Sequence, residues 1–109
     1  MKFSDIIMDT ISRGMEKYKS SSEANTWDAE TKFVLGYVDL SGAKPGDSIG
    51  FPIHLVELSA EEGFMLAQYI IGNCYHDGYG VNRDTNKAVY WWQKAAAQGL
   101  VDAKEKLGV

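Results

Sequence analysis

The chain has 109 residues, of which 45% are hydrophobic, and a formal net charge of −4. This length allows one compact domain or a short repeat array, and the apolar content excludes a disordered chain. The acidic balance argues against a nucleic-acid binder, which usually carries a basic stripe. Residues 27–63 hold seven acidic residues and two lysines, a net charge of −5. This acidic segment favours a basic partner.

The single cysteine, Cys74, cannot form a disulfide within the chain,. The first residues, MKFSDIIMDT, contain two aspartates where a secretory signal would need an apolar run,. No stretch approaches the roughly 18 to 20 apolar residues that span a bilayer. These features predict a cytoplasmic protein that does not enter a membrane.

The first element in chain order is a predicted amphipathic helix over residues 3–19. Phe3, Ile7, Ile11, Met15 and Tyr18 follow one another at steps of three or four residues, which is the spacing of one helix face,. Residues 20–26, SSSEANT, are predicted to be a linker or turn. We expect the leading helix to cap the unit that follows it.

The next two units each read as a pair of helices. Unit one contains WDAETKFVLGYV, a loop at LSGAKPGD, and a helix through HLVELSAEE that Gly63 closes, with Pro52 in its first turn,. In unit two, a helix over EEGFMLAQYIIGNCY ends at HDGYGV, where two glycines break the periodicity,. Asp84 is the predicted N-cap of the following helix and Gly99 its predicted C-cap. The last residues, VDAKEKLGV, resemble the start of a third unit.

A shift of 36 residues aligns these units. It superposes Gly36, Gly72 and Gly108, and it pairs Gly63 with Gly99. A fixed period of this length is the signature of a helical repeat, in which stacked units share one core. The predicted fold is therefore all-α: a short right-handed α-solenoid of helix-turn-helix repeats with an N-terminal capping helix. We expect one domain over 1–109, divided into a leading helix and linker (1–26), a degenerate repeat (27–66), a well-matched repeat (67–102) and a partial repeat (103–109).

Unit two and the start of unit three resemble the Sel-one-like repeat, a relative of the tetratricopeptide repeat. The matching residues that we expect to build the fold are Ala67, Ile71, Gly72, Tyr75, Gly78, Gly80, Trp91, Ala95, Ala96, Gly99, Ala103, Leu107 and Gly108, with Gly36 as their counterpart in unit one. The other matches are Val81, Asp84, Lys87, Ala88, Lys94 and Gln98. Gly72 and Gly108 are expected to let helices approach closely, and Trp91 and Tyr75 to fill the space between layers. Unit one lacks the Gly-x-Gly-Val loop, and Pro52 stands where unit two has Ala88.

The resemblance implies a protein-interaction scaffold without catalysis or a cofactor. Larger members of the family are adaptors, and small bacterial members include immunity proteins that neutralise a cognate toxin. The most concrete prediction is an immunity-type inhibitor that binds a basic toxin domain. An adaptor in signalling or regulation is the alternative, and a small metal-dependent or Cys/His hydrolase is a third hypothesis from another class. The oligomeric state is left open.

The stretch GNCYHDGYGV contains residue types found in metal sites, phosphate-binding loops and Cys/His catalytic pairs. Cys74, His76 and Asp77 are metal-ligand types, but zinc sites usually need a second ligand pair, and the only other histidine is His54,. The Gly-x-Gly follows a helix rather than a strand, which argues against a phosphate-binding loop. Because Cys74 and His76 are two residues apart, a helix would point them away from each other. We therefore expect no metal and no catalytic residue here.

A partner is expected on the face that the first helix of each unit presents. The residues predicted to contact it are Glu30, Val34, Tyr37, Val38, Leu66, Ile70 and Asn73 on the first helices, with Glu57 and Glu61 from the acidic second helix of unit one. The shift of 36 residues pairs Val34 with Ile70, which are apolar in both units. The alternative is that the leading helix or the chain termini cover these residues. If they are exposed, their mixed apolar and acidic character suits a basic protein that lays a helix in a groove.

Overall fold

The computed structural model describes residues 1–20 and 26–108, and the predicted linker at residues 20–26 lies largely outside them. In this described part the chain forms six helices and no strand. The helices are α1 (Phe3–Ser20), α2 (Ala29–Ser41), α3 (Gly50–Glu61), α4 (Met65–Asp77), α5 (Thr85–Ala97) and α6 (Val101–Leu107). None of them is both long enough and apolar enough to cross a membrane.

The first helices of the units recur at a fixed interval. Helices α2, α4 and α6 begin at Ala29, Met65 and Val101, two successive steps of 36 residues. Helices α2 and α4 each pack against the helix that follows, α3 and α5, while α3 contacts α4 across the units and α6 contacts α5. The predicted all-α solenoid of helical repeats is confirmed.

Two helices begin at the aspartate side chains that cap them. The Asp28 side chain accepts a hydrogen bond from the Thr31 N–H at the start of α2, and the Asp84 side chain accepts one from the Lys87 N–H at the start of α5,. The predicted N-cap at Asp84 is therefore confirmed. The predicted C-cap at Gly99 is one residue too late: Gln98 is the C-cap of α5, and Gly99 follows it with φ of 101°.

Glycines at the repeat positions allow the two helices of a unit to touch. A Cβ on Gly72 would lie 2.6 Å from Trp92 Cδ1, and a Cβ on Gly36 would lie 2.7 Å from the Pro52 carbonyl oxygen. Gly108 does not take this role. It is the C-cap of α6 with φ of 78°, and a Cβ there would meet nothing within 4 Å, because the described helices end at that point.

The core runs through all the units. Its largest fully buried side chains include Phe33, Leu66, Ile71 and Leu100. Tyr75 lies at the junction of the units, where its hydroxyl donates a 2.8 Å hydrogen bond to the Glu57 carboxylate of α3. Trp91 and Trp92 are also buried, whereas Tyr90 projects into solvent, with Lys94 over its ring.

Candidate functional site

The face made by the first helices α2, α4 and α6, here called the inner face, is where the sequence predicts partner contacts. The leading helix α1 lies on this face, and its first residues reach α6. The Met1 carbonyl accepts a 2.7 Å hydrogen bond from the Val101 N–H. The Phe3 N–H donates a 2.6 Å hydrogen bond to the Asp102 carboxylate. The start of α1 is therefore held at the start of α6.

The Phe3 side chain connects α1 to the other two first helices. Its ring centroid is 5.8 Å from that of Tyr37 on α2 in an edge-to-face arrangement, and 5.5 Å from that of Tyr69 on α4. Aromatic pairs in these geometries add stabilisation beyond the apolar area that they bury, about 0.5–1.5 kcal/mol each. Through Phe3 and its backbone, α1 contacts every helix of the inner face.

The middle of α1 packs on α2 through a glycine. Gly14 is buried, and a Cβ at this position would lie 2.6 Å from Val34 Cβ. Only a residue without a side chain lets the α1 backbone approach Val34 this closely. Val34 itself is fully buried, with an exposed fraction of 0%.

The last turns of α1 carry two cations onto the acidic start of α2. Arg13 Nη2 lies 3.1 Å from Glu30 Oε2, and Lys17 Nζ lies 2.8 Å from both Glu30 Oε1 and Asp28 Oδ2. Partial burial alone would raise the pKa of Asp28, but hydrogen bonds from Lys17 and from Thr31 outweigh it and lower that pKa to about 2. The hydrogen bonds to Asp28 and Glu30 raise the pKa of Lys17 in turn. Part of the acidic segment is thus neutralised by α1.

These contacts change how the predicted partner residues are presented. Val34 and Leu66 are buried, and the Glu30 side chain is 13% exposed beneath Arg13 and Lys17. Val34 and Glu30 are covered by α1, as the alternative of coverage by the leading helix expected, whereas Leu66 is buried in the core of the repeats. Val38, one turn after Val34 on α2, is 41% exposed and lines a groove between Met15 and Tyr18 of α1 and Phe51 and Leu55 of α3.

The predicted acidic contacts on α3 differ from one another. The Glu57 carboxylate is partly buried and accepts the hydrogen bond from the Tyr75 hydroxyl. Burial of the phenol, with a smaller contribution from this hydrogen bond, raises the pKa of Tyr75 to about 12. Glu61, one turn later, is exposed to solvent. A partner could therefore reach Glu61 directly, whereas Glu57 is engaged in joining the two units.

An open pocket of about 190 Å³ remains on the inner face beside α1,. It lies between the second halves of α2 and α4 and brings together three of the predicted partner residues, Tyr37, Ile70 and Asn73. Its other lining residues are Leu40, Ser41, Cys74, Asp77 and Tyr79. The lining is mainly apolar, and the exposed Asp77 carboxylate is its one acidic group. This pocket can take an apolar side chain of a partner with a cation beside it.

The Asn73 side chain also has a structural task at this pocket. Its carbonyl oxygen accepts a 3.1 Å hydrogen bond from the Trp92 indole N–H. Since a buried indole N–H without a partner is costly, this bond fixes the orientation of both side chains. The floor of the pocket is therefore tied to the packing of α4 on α5.

The Cys74, His76 and Asp77 group does not converge on one point. The Cys74 thiol is buried, and burial, with a smaller contribution from the Asp77 charge, raises its pKa to about 11. His76 is exposed, with its Nδ1 2.9 Å from Asp77 Oδ1, and its ring packs against Trp92. A protonated thiol is a poor nucleophile and a poor metal ligand. Within residues 1–20 and 26–108, no three His, Cys, Asp or Glu side chains are placed to hold a metal ion.

Four residues of α1 make contacts with the inner face that were not predicted from the sequence: Phe3, Arg13, Gly14 and Lys17. Two signals in the sequence could have indicated them. Gly14 is a lone glycine inside a predicted helix, which usually has a packing reason. Arg13 and Lys17 are four residues apart and so share one face of the helix, opposite in charge to the segment that follows,.

Comparison with known proteins finds one matching family model and two related sequences. Residues 66–100 match the family model described as Sel1 repeat. DAP3-binding cell death enhancer 1 of Rattus norvegicus is 40% identical over 50 residues, which make up 46% of this chain and 10% of that protein. Chitin synthase regulatory factor 3 of Schizosaccharomyces pombe is 30% identical over 81 residues, 73% of this chain and 9% of that protein. The chain thus spans about a tenth of the length of these curated relatives.

Two solved structures share the fold. The crystal structure of a protective antigen present in uropathogenic Escherichia coli strains, displaying an SLR fold, matches with a TM-score of 0.69 and 30% identity, over 90% of this chain and 20% of that one. A Sel1 repeat protein from Oxalobacter formigenes matches with a TM-score of 0.66 and 24% identity, over 84% of this chain and 66% of that one, a likeness of fold alone. Residues 66–100 therefore resemble a Sel1 repeat, and the all-α solenoid around them shares the SLR fold.

Proposed function

We propose that this chain is a non-catalytic protein-binding module and, most concretely, an immunity-type inhibitor that binds and neutralises a cognate basic toxin domain in the cytoplasm. The observation that carries the proposal is the open pocket on the inner face, lined by Tyr37, Ile70 and Cys74 and bordered by Asp77. An apolar pocket with a carboxylate at its rim suits an apolar side chain next to a lysine or arginine. The net charge of −4 adds long-range attraction for such a partner,.

Occlusion is a sufficient mechanism for an inhibitor of this kind. The module needs no reactive group, because covering the functional surface of a toxin removes its activity. The surface would combine the pocket with exposed carboxylates such as Asp77 and Glu61. Loss of a rim charge in such a contact mainly lowers the association rate and makes binding less dependent on salt.

A charge reversal at the pocket, with a matched control, tests this function. Asp77→Lys reverses a charge at the rim, and Asp9→Lys makes the same change on the exposed side of α1. The two variants and the parent chain are immobilised and used to capture basic proteins from the native cell, and the captured protein is expressed alone and together with the chain. We expect capture and rescue of growth by the parent chain and by Asp9→Lys, and at least about tenfold weaker binding by Asp77→Lys.

Equal binding by Asp77→Lys and Asp9→Lys would rule out the pocket as the contact. A captured protein that is not toxic would instead favour an adaptor in regulation. That second function is favoured by the 30% identity over 81 residues to the protein named chitin synthase regulatory factor 3. In both cases the chain acts by binding, and the two functions differ only in what the partner does.

A further inference from the structure

The leading helix occupies the inner face in the position that a helix from another protein would take. It is the one described helix before the first repeat unit, and it contacts α2, α4 and α6. We propose that the strip of the inner face beneath α1 is a helix-binding site, that α1 is its intramolecular occupant, and that a partner helix of the same chemistry displaces it. This inference rests on the proposed protein-binding function and names the kind of partner.

The packing of α1 is that of a docked helix rather than of a core helix. Only Thr10 and Gly14 are fully buried on α1, and both are small. Its large apolar side chains, Phe3, Ile6, Ile7, Ile11 and Met15, are partly exposed, and each packs against the edge of the core. The helices of unit two, by contrast, bury Leu66, Ile71 and Trp92. No large side chain of α1 is thus fully buried, whereas the repeats have fully buried large side chains of their own.

The polar contacts at the two ends of α1 are of a kind that another helix can replace. At the basic end, the side chains of Lys17 and Asp28 are 46% and 53% exposed, so that water and salt compete for their charges,. At the other end, the contacts to α6 use the backbone of Met1 and Phe3, which any helix start can supply. Neither end requires a chemical group that is unique to this chain.

The site under α1 specifies the chemistry of its ligand. It presents an aromatic cleft at Tyr37 and Tyr69, a close contact above Val34, and two carboxylates at Asp28 and Glu30. The matching helix carries an aromatic residue near its start, as Phe3 does in α1. A small residue follows 11 positions later, as Gly14 does, and basic residues follow 10 and 14 positions after the aromatic one, as Arg13 and Lys17 do. The partner is therefore an amphipathic helix that becomes basic toward its C-terminal end.

A labelled peptide with the sequence of residues 1–20 is the probe for this site. In the full chain, Gly14→Leu introduces a side chain against Val34 and expels α1, whereas Ser12→Leu adds the same side chain on the exposed side of α1. Hydrogen exchange of the α1 amides reports whether α1 is docked. We expect weak peptide binding to the parent chain and to Ser12→Leu, and binding on the order of tenfold tighter to Gly14→Leu, because the internal competitor is gone. A peptide with Arg13→Glu and Lys17→Glu should lose this binding.

The result that overturns the proposal is equally defined. If α1 exchanges rapidly in Gly14→Leu while α2 to α6 stay protected, and the peptide still fails to bind, the strip is not a helix-binding site. If Gly14→Leu does not fold, the full chain with Arg13→Glu and Lys17→Glu provides a second way to loosen α1 without touching the core, and the parent peptide is tested on it. A parent chain that sediments as a dimer with exchanged α1 helices would overturn the assignment of α1 as an intramolecular occupant.

The experiment separates this inference from the proposed function. Asp77 lines the open pocket, which has no α1 residue in its lining, and its carboxylate pairs with His76, so Asp77→Lys should bind the peptide as the parent chain does. Loss of the cellular partner in Asp77→Lys with intact peptide binding would support both sites. Capture of a partner together with failure of the peptide test would leave the protein-binding function standing and remove the helix exchange.

Discussion

At the scale of single residues, the contact between Gly72 and Trp92 links the repeat to the inner face. A Cβ on Gly72 would lie 2.6 Å from Trp92 Cδ1 and 2.7 Å from Trp92 Nε1. The same indole nitrogen donates its hydrogen to Asn73, which lines the open pocket. A change at Gly72 therefore acts on stability and on the shape of the pocket through one ring.

We expect Gly72→Ala to lower the free energy of unfolding by about 1–2 kcal/mol. Overpacking of a buried site costs about 1–3 kcal/mol, and the better helix propensity of alanine returns part of this. Urea unfolding followed by circular dichroism measures the change. Gly50→Ala is the matched control, because a Cβ on Gly50, at the start of α3, would meet nothing within 4 Å. Equal stability of the two variants would show that the ring moves aside without cost.

At the scale of elements, the start of α2 depends on α1 as well as on its own cap. Asp28 caps α2 through the Thr31 N–H and at the same time binds Lys17 of α1. Asparagine caps a helix about as well as aspartate, so Asp28→Asn keeps the capping hydrogen bond and removes the negative charge. The two tasks of Asp28 can therefore be separated by one substitution.

We expect the stability difference between the parent chain and Asp28→Asn to depend on pH. The pKa of Asp28 is lowered from 3.8 to about 2 in the folded chain. A carboxyl group whose folded pKa is lowered stabilises the fold above its unfolded pKa, and this contribution is lost as the pH falls through the folded pKa. The difference should therefore be full above pH 3.8 and shrink toward about pH 2. Unfolding by urea across this range measures it, and a difference that stays constant with pH would contradict the assigned charge contact.

At the scale of the whole molecule, the repeats were predictable because their contacts recur with the same period as their residues. Gly36 meets Pro52 and Val56, whereas Gly72 meets Ala88 and Trp92, and each of these contacts is displaced by 36 positions. A pattern that repeats in the sequence therefore reports a contact that repeats in space. The position of α1 could not be predicted in this way, because α1 occurs once and no second copy of its contacts exists to align.

The residues of the candidate site could likewise be predicted only in part. The sequence indicated Tyr37, Ile70 and Asn73 at one surface because they lie on the first helices of neighbouring units, and they do line one pocket. It could not show that Val34 would be covered, since the amphipathic stripe of α1 fits the end of the stack or its inner face equally well. What decided between the two was the match of Gly14 to Val34 and of Arg13 to Glu30, which are pairwise contacts without periodicity.

The ion pairs between α1 and α2 have a consequence for the effect of salt on binding. A basic helix that replaces α1 breaks the contacts of Arg13 and Lys17 with Glu30 and makes equivalent ones itself, so that the number of paired charges is conserved. Salt screens both sets of contacts alike, with a Debye length of about 8 Å at 0.15 M. Affinity should therefore depend less on salt for a ligand that exchanges with α1. A ligand that adds new contacts at Asp77 should weaken steadily, and the slope of affinity against ionic strength thus distinguishes substitution of a helix from addition of a partner.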